Sequence, residues 1–288
     1  MTSVLKDITL GQYFPGNSII HRMDPRAKLI VTILFIVAIF ASQNILCFAA
    51  LLVSTVLLIA LSQISLRTIL RGLKAIFFVL LFTALINIFL TGGAEGEEPL
   101  FRGEIPIFSF VWMPTIYRGG ILRAVLTSVR VIVLIVVTSI FMTYTTSPIT
   151  LTDAIEELLT PLKWLHIPVH DFAMMMTIAL RFIPTLIEET DKIMNAQRAR
   201  GADFSTGSIV RRAKALIPVL VPLFVSAFKR AEDLAIAMEC RCYRGGTGRT
   251  KLYKLQYHAR DFIVMTLFVL FLAGIFVLNR FSPVPVGI

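Results

Sequence analysis

Five stretches of this chain are too apolar for too long to stand in water. Leu29–Ala41 reads LIVTILFIVAIFA without a break, and a polar notch at Ser42-Gln43-Asn44 separates it from Ile45–Leu61. Ile76–Leu90, Gly119–Thr145 and Phe262–Leu278 complete the set. With flanks counted, each approaches the roughly 17–25 residues that a membrane-crossing helix needs. The spans are expected at 27–43, 44–62, 75–91 and 119–145, with a last one in 261–288. The first two are joined too briefly for anything but a helical hairpin.

Composition agrees. The 288 residues are 56% hydrophobic and 16% charged, against roughly 45–50% apolar and 25% charged in soluble domains. The expected fold class is an all-α polytopic membrane protein of about five transmembrane helices, with long cytoplasmic amphipathic helices. Residues 1–145 form its N-terminal membrane region, 146–260 a cytoplasmic or interfacial helical region, and 261–288 the last span and tail.

Charge sets the sidedness. The net charge of +10 would suggest nucleic acid in a soluble protein, but here it lies in the loops. Residues 1–28 hold four Lys/Arg, 63–75 three and 146–260 sixteen. Five spans put all three segments on one side. The loop 92–118, with Glu95, Glu97, Glu98 and Glu104, and the tail after 278 fall on the other. Excess Lys and Arg mark the cytoplasmic side, so the N-terminus and 146–260 are expected inside the cell and the C-terminus outside, in a plasma-membrane protein. No nucleic-acid partner is expected.

Local signals refine this picture. Asp24 before Pro25 is placed to cap a helix whose first residue is proline. In 63–75, Leu66, Ile69, Leu70 and Leu73 share a face opposite Arg67, Arg71 and Lys74. That is a short interfacial helix, or the basic approach to the next span. Arg123 can snorkel from its span end. Arg130 lies deeper and must face protein or water, through an internal ion pair or a carbonyl partner. In 146–260 three helices are expected: Thr152 to about Leu165, His170–Arg200 and Thr206–Arg241. Either 172–187 or 215–228 is alternatively a tilted span, and a pair of them leaves the sidedness unchanged.

Catalytic constellations are poor. His166 and His170 are four apart, but Pro168 intervenes and no third ligand is evident. Cys240-x-Cys242 has no second pair to complete a metal site. Gly245–Lys251 lacks the spacing of a phosphate loop. No catalytic, metal or cofactor residues are therefore expected. Two other classes stay in view. A membrane-embedded enzyme on lipid or isoprenoid substrates has only Glu188-Glu189-x-Asp191 as a candidate cluster. An autonomous secondary transporter favours repeats and midplane charges, of which only Arg130 qualifies.

What remains is a pair of helix ends. Met194–Gly201 reads MNAQRARG and Ala237–Gly246 reads AMECRCYRGG. Arg200 and Arg241 stand 41 positions apart. Arginine near a helix C-terminus complements the dipole, and Gly201 suits a left-handed closing residue. Arginine also offers a planar fork to an acidic groove, and two similar ends suit a partner with two similar halves.

Together with the segment Ser18–Lys28 (SIIHRMDPRAK) and the order of spans, helical region and last span, these ends resemble the transmembrane coupling subunit (T-component, EcfT) of energy-coupling factor transporters. The resemblance covers nearly the whole chain. It implies an ABC-type importer of vitamins or transition metals in which this subunit is not an enzyme. Ala199, Arg200 and Gly201, with Cys240, Arg241, Cys242 and Arg244, would dock two ATPase subunits, which carry the ATP and magnesium. The helices would grip a membrane-embedded substrate-binding S-component. The second motif departs from the family's Ala-Arg-Gly pattern. Cys242 lacks the easy positive φ of glycine, so the helix is expected to run on toward Gly245-Gly246, with Arg244 sharing or taking over the contact.

Overall fold

The computed structural model describes residues 14, 16–90, 118–165, 168–204, 208–245 and 255–281. Every regular element among them is helical. In order these are α1 (Pro25–Ala41), α2 (Ile45–Ser62), α3 (Leu66–Leu90), α4 (Arg118–Thr138), a π-helical turn (Ser139–Tyr144), α5 (Pro148–Leu159), a 3-10 turn (Thr160–Leu165), α6 (Val169–Ala199), α7 (Ile209–Cys240) and α8 (Ala259–Phe281). The loop expected at 92–118 lies almost wholly outside the described residues.

Among the described residues, four helices are long and apolar enough to cross a membrane: Ile45–Ser62, Gly120–Tyr144, Val169–Ala199 and Ala259–Phe281. The bent α3 makes a fifth if its two limbs are one span. Helix α1, with 17 residues, sits at the lower limit for a span. The alternative that 172–187 crosses the bilayer thus keeps a physical basis in α6, whereas α7 is not in this group.

The described residues divide into two compact units, those of 14–147 together with 255–281, and those of 148–245. In the first, α1, α2, α4, the π turn and α8 interleave around Val31, Phe35, Leu51, Val137, Phe141 and Phe268. The rings of Phe35 and Phe268 lie 5.8 Å apart and tilted. Side chains such as Val53, Phe78 and Leu270 point outward. In lipid this is no fault: hydrocarbon is as apolar as leucine, so the core is held by close packing and by polar ties between helices.

Those ties gather at two levels of the unit. At the α1–α2 notch, the Asn279 amide donates to the Ala41 carbonyl and accepts from the Gln43 N–H. The Arg130 guanidinium donates to the Ser42 carbonyl at 2.9 Å and lies 5.2 Å from the Phe48 ring centre. Of the two partners expected for Arg130, the carbonyl is the one found, at a helix end where the dipole is negative.

The second level is a buried charged knot. Asp24 caps α1, accepting from the Arg26 N–H at 2.8 Å, and Pro25 follows as expected. The Asp24 N–H donates to Asp261 Oδ1 at 3.1 Å. Asp261 Oδ2 reaches back to the His258 N–H at 2.9 Å, the closing half of a capping box on α8. Lys28 Nζ donates to the Thr145 carbonyl at 2.8 Å, just past the π turn. The Arg26 guanidinium pairs with Asp24 at 2.8 Å and stacks 3.8 Å from the Tyr257 ring centre. Lys28 and Asp261 are each 1% exposed. One knot therefore fastens the starts of α1 and α8 and the end of the π turn.

His21 borders the knot. Its Nε2 meets the Phe14 carbonyl at 2.9 Å and its Nδ1 meets Ser18 Oγ at 2.6 Å. Burial lowers its pKa below 6.5; the Phe14 carbonyl opposes this and the Lys28 charge reinforces it. Because the folded value is depressed, the stability His21 contributes is complete above the unfolded pKa and is lost as pH falls through the folded one. Thermal unfolding scanned from pH 8 to pH 5 should show wild type losing stability on acidification more steeply than His21→Gln. Parallel profiles would contradict this.

Candidate functional site

The second unit carries the two helix ends. Helix α6 runs 31 residues and α7 runs 32, about 46–48 Å each at 1.5 Å per residue. Ser208 caps α7, its hydroxyl accepting from the Arg211 N–H. The start at Thr206 expected from sequence lies outside the described residues.

The two C-termini close in the same way. At the first, the Gly201 N–H donates to the Arg198 carbonyl at 2.9 Å, and the Ala202 N–H to Gln197 at 3.0 Å. At the second, the Cys242 N–H donates to Glu239 at 2.8 Å, and the Tyr243 N–H to Met238 at 3.0 Å. Both are Schellman closures, matched residue for residue at a spacing of 41. Arg200 and Arg241 are the cap residues, with φ −87° and −90°. Ala199 and Cys240 are the last helical residues, and Gly201 and Cys242 take the left-handed conformation, φ 87° and 54°.

This corrects the expectation for the second motif. The helix does not continue to Gly245-Gly246. It stops at Cys240, and Cys242 accepts the positive φ that glycine takes at the first end. The two closing hydrogen bonds and the cap arginine outweigh the roughly 1–2 kcal/mol that a left-handed L-residue costs. Arg244 lies three residues beyond the cap, outside the helix.

Arg200, Arg241, Arg244, Cys240 and Cys242 are all exposed. Among the described residues, neither cap guanidinium has a hydrogen-bond or ion-pair partner. The closure uses only backbone groups and so engages neither guanidinium.

Three side-chain contacts within this unit were not anticipated from the sequence. Glu189 on α6 pairs with Arg230 on α7 at 2.7 Å. These residues are also 41 apart, each eleven before its cap arginine, so the spacing of the tips is the one signal that could have found them. His170 pairs with Glu156 at 2.9 Å, joining α5 to α6. The Tyr243 hydroxyl donates to Met174 Sδ at 2.9 Å, returning the second end to α6. An open groove of about 400 Å³ runs between α6 and α7, lined by Ile178, Phe182, Leu234, Met238 and Tyr243. Beyond it, Phe224, Val225 and Phe228 of α7 are exposed.

The acidic cluster considered for an enzyme is divided, since Glu189 is engaged by Arg230 while Glu188 is exposed. His166 lies outside the described residues. Among those described, no three His, Cys, Asp or Glu side chains come together to hold a metal ion.

The closing residues should respond differently to substitution. A Cβ at Gly201 would meet nothing within 4 Å, so Gly201→Ala carries only the conformational cost, about 1–2 kcal/mol. Cys242→Gly relieves that cost but adds backbone freedom to the unfolded chain, so it should be neutral to slightly stabilising. Thermal unfolding of both variants checks this: a lowered midpoint for Gly201→Ala alone is expected, and equal shifts would contradict it.

Fold and ends define a class: a multi-pass helical membrane protein that presents two matched, arginine-tipped helix ends. Known proteins narrow it. A family model described as cobalt transport protein, CbiQ, matches residues 16–252. Relatives from several bacteria carry the name energy-coupling factor transporter transmembrane protein EcfT. That of Clostridium kluyveri is 48% identical over 277 residues, covering 96% of this chain and 98% of its own. That of Brevibacillus brevis is 50% identical over 267, covering 93% and 96%. That of Bacillus subtilis is 44% identical over 276, covering 96% and 100%. The chain belongs to this family, as an EcfT-type transmembrane component of the multi-subunit energy-coupling factor transporters.

Proposed function

We propose that this chain is the coupling subunit of an ATP-driven importer, with no catalytic centre of its own. The exposed forks of Arg200 and Arg241 dock into acidic grooves on two ATPase subunits, which hold ATP and magnesium. Ala199, Gly201, Cys240 and Cys242 shape the tips, and Arg244 adds a neighbouring cation. Nucleotide-driven movement of the docked ends shifts α6 and α7. Their exposed apolar faces grip a membrane-embedded S-component and reorient it to release a vitamin or metal ion inside. The sidedness follows from charge: the N-terminus and 146–260 are cytoplasmic and the C-terminus is outside.

The observation that supports this reading is the repeated closure itself. A single arginine-capped helix end is ordinary helix chemistry. Two ends with the same bonds, the same cap residue and a cross-link at equivalent positions suit a partner with two equivalent subunits. The Glu189–Arg230 pair ties the two levers together, so that movement at one tip is felt at the other.

Co-purification tests it. Detergent-solubilised protein from its native membrane should bring down ATPase chains at two per copy of this chain. Recovery of the chain without ATPase would contradict the docking role.

A further inference from the structure

Helix α3 is bent by 62° between Leu66–Lys74 and Ile76–Ile88. The second limb shows Phe77, Phe78 and Phe82 on its surface, an outward apolar face suited to acyl chains. The first limb has a different make-up. Ile69 is buried and Leu73 packs against the core. Gly72 comes so close to the π turn that a Cβ there would sit 3.0 Å from the Tyr144 hydroxyl. One side of the limb is thus fixed to the membrane unit.

The other sides are exposed and divided. Leu66 and Leu70 stand 63% and 62% exposed. Next to them, at spacings of four and three that align along one helix side, are Arg67, Arg71 and Lys74, all exposed. There is no acidic residue anywhere in Leu66–Leu90. Going around the limb, the order is core contact, bare leucines, basic stripe. A helix pinned on one side, dipping apolar groups on the next and raising cations on the third has the layout of the acyl–headgroup boundary. The bend is what lets it turn away from the direction of the spanning limb.

We propose that Arg67, Arg71 and Lys74 form a binding surface for the phosphate headgroups of anionic phospholipids in the adjoining leaflet, with Leu66 and Leu70 seated among the upper acyl carbons. The charge supports a lipid partner, because each cation near an anionic bilayer surface strengthens association by about fivefold. The continuous run from bare leucines into an apolar spanning limb favours lipid over a soluble acidic protein. This surface does not depend on what the arginine tips of α6 and α7 bind.

The test uses the full chain reconstituted in phosphatidylcholine vesicles with spin-labelled phosphatidylglycerol or spin-labelled phosphatidylcholine. Electron paramagnetic resonance reads the motionally restricted fraction of each. Wild type should prefer phosphatidylglycerol several-fold, with the preference falling as salt is raised. The triple variant Arg67→Gln, Arg71→Gln, Lys74→Gln should lose most of that preference. Arg67→Lys with Arg71→Lys should keep it, as should Arg211→Gln, Arg212→Gln, Lys214→Gln at the start of α7. All these side chains are exposed, and circular dichroism confirms that each variant is folded. Any of three results overturns the proposal: no preference in wild type, undiminished preference in the first triple variant, or loss of preference when the complete transporter is assembled. The last would show that an acidic protein partner, not lipid, occupies the stripe.

Discussion

Arg200→Glu combined with Arg241→Glu should abolish recovery of ATPase chains and, with it, ATP-driven uptake. Truncating one partner of a buried, hydrogen-bonded charge pair at an interface costs about 2–5 kcal/mol. Reversal adds like-charge repulsion, and two sites are altered together. Since about 1.4 kcal/mol is a tenfold change in affinity, the double variant should lose at least a thousandfold. The single variants should fall between, because the remaining tip still holds one ATPase and raises the local concentration of the other end. The fold should not suffer. Both side chains are exposed, and both helix ends are closed by backbone hydrogen bonds. Assembly of the double variant at wild-type yield would count decisively against docking through these tips.

The second large effect lies in the membrane unit. Asp261→Ala removes the acceptor for two backbone donors, Asp24 N–H and His258 N–H, and leaves the buried Lys28 ammonium with less compensating charge. Breaking a buried charged arrangement on one side costs about 3–5 kcal/mol, a large part of the 5–15 kcal/mol that keeps a typical domain folded. Lys28→Met should be comparably damaging, because it strands the Thr145 carbonyl, which Lys28 now satisfies. Yield of monodisperse protein and the midpoint of thermal unfolding report the loss. Asp261→Asn, which keeps an acceptor oxygen, should lose less. An Asp261→Ala protein that melts like wild type would show that the knot is not a structural joint.

The apolar runs and the Asp24-Pro25 cap were legible in the sequence because both are local: a span is a continuous stretch, and a cap is a pair of neighbours. Arg200 as a helix cap was legible for the same reason, since Gly201 announces the left-handed turn. The second end was harder. Cys242 gives no such signal, because its φ is imposed by the bonds to Glu239 and Met238 and not by its own preference. The knot was out of reach. Lys28 and Asp261 are 233 positions apart, and each by itself reads as an ordinary charge at the start of a span. Only packing α1 against α8 turns them into one feature. Glu189–Arg230 was intermediate: its spacing repeats that of the tips, but solvated helix faces carry many such pairs.

Native cysteines offer the most direct test of the central claim. Cys240 and Cys242 flank Arg241 and are exposed, whereas Cys47 is buried. A membrane-impermeant maleimide applied to intact cells and to inverted vesicles therefore reports on the second tip without engineered residues. The expected result is labelling from the cytoplasmic face only, strongly reduced while the ATPase subunits are bound and restored when they are stripped away. Labelling from outside the cell, or labelling indifferent to the ATPases, would contradict the account.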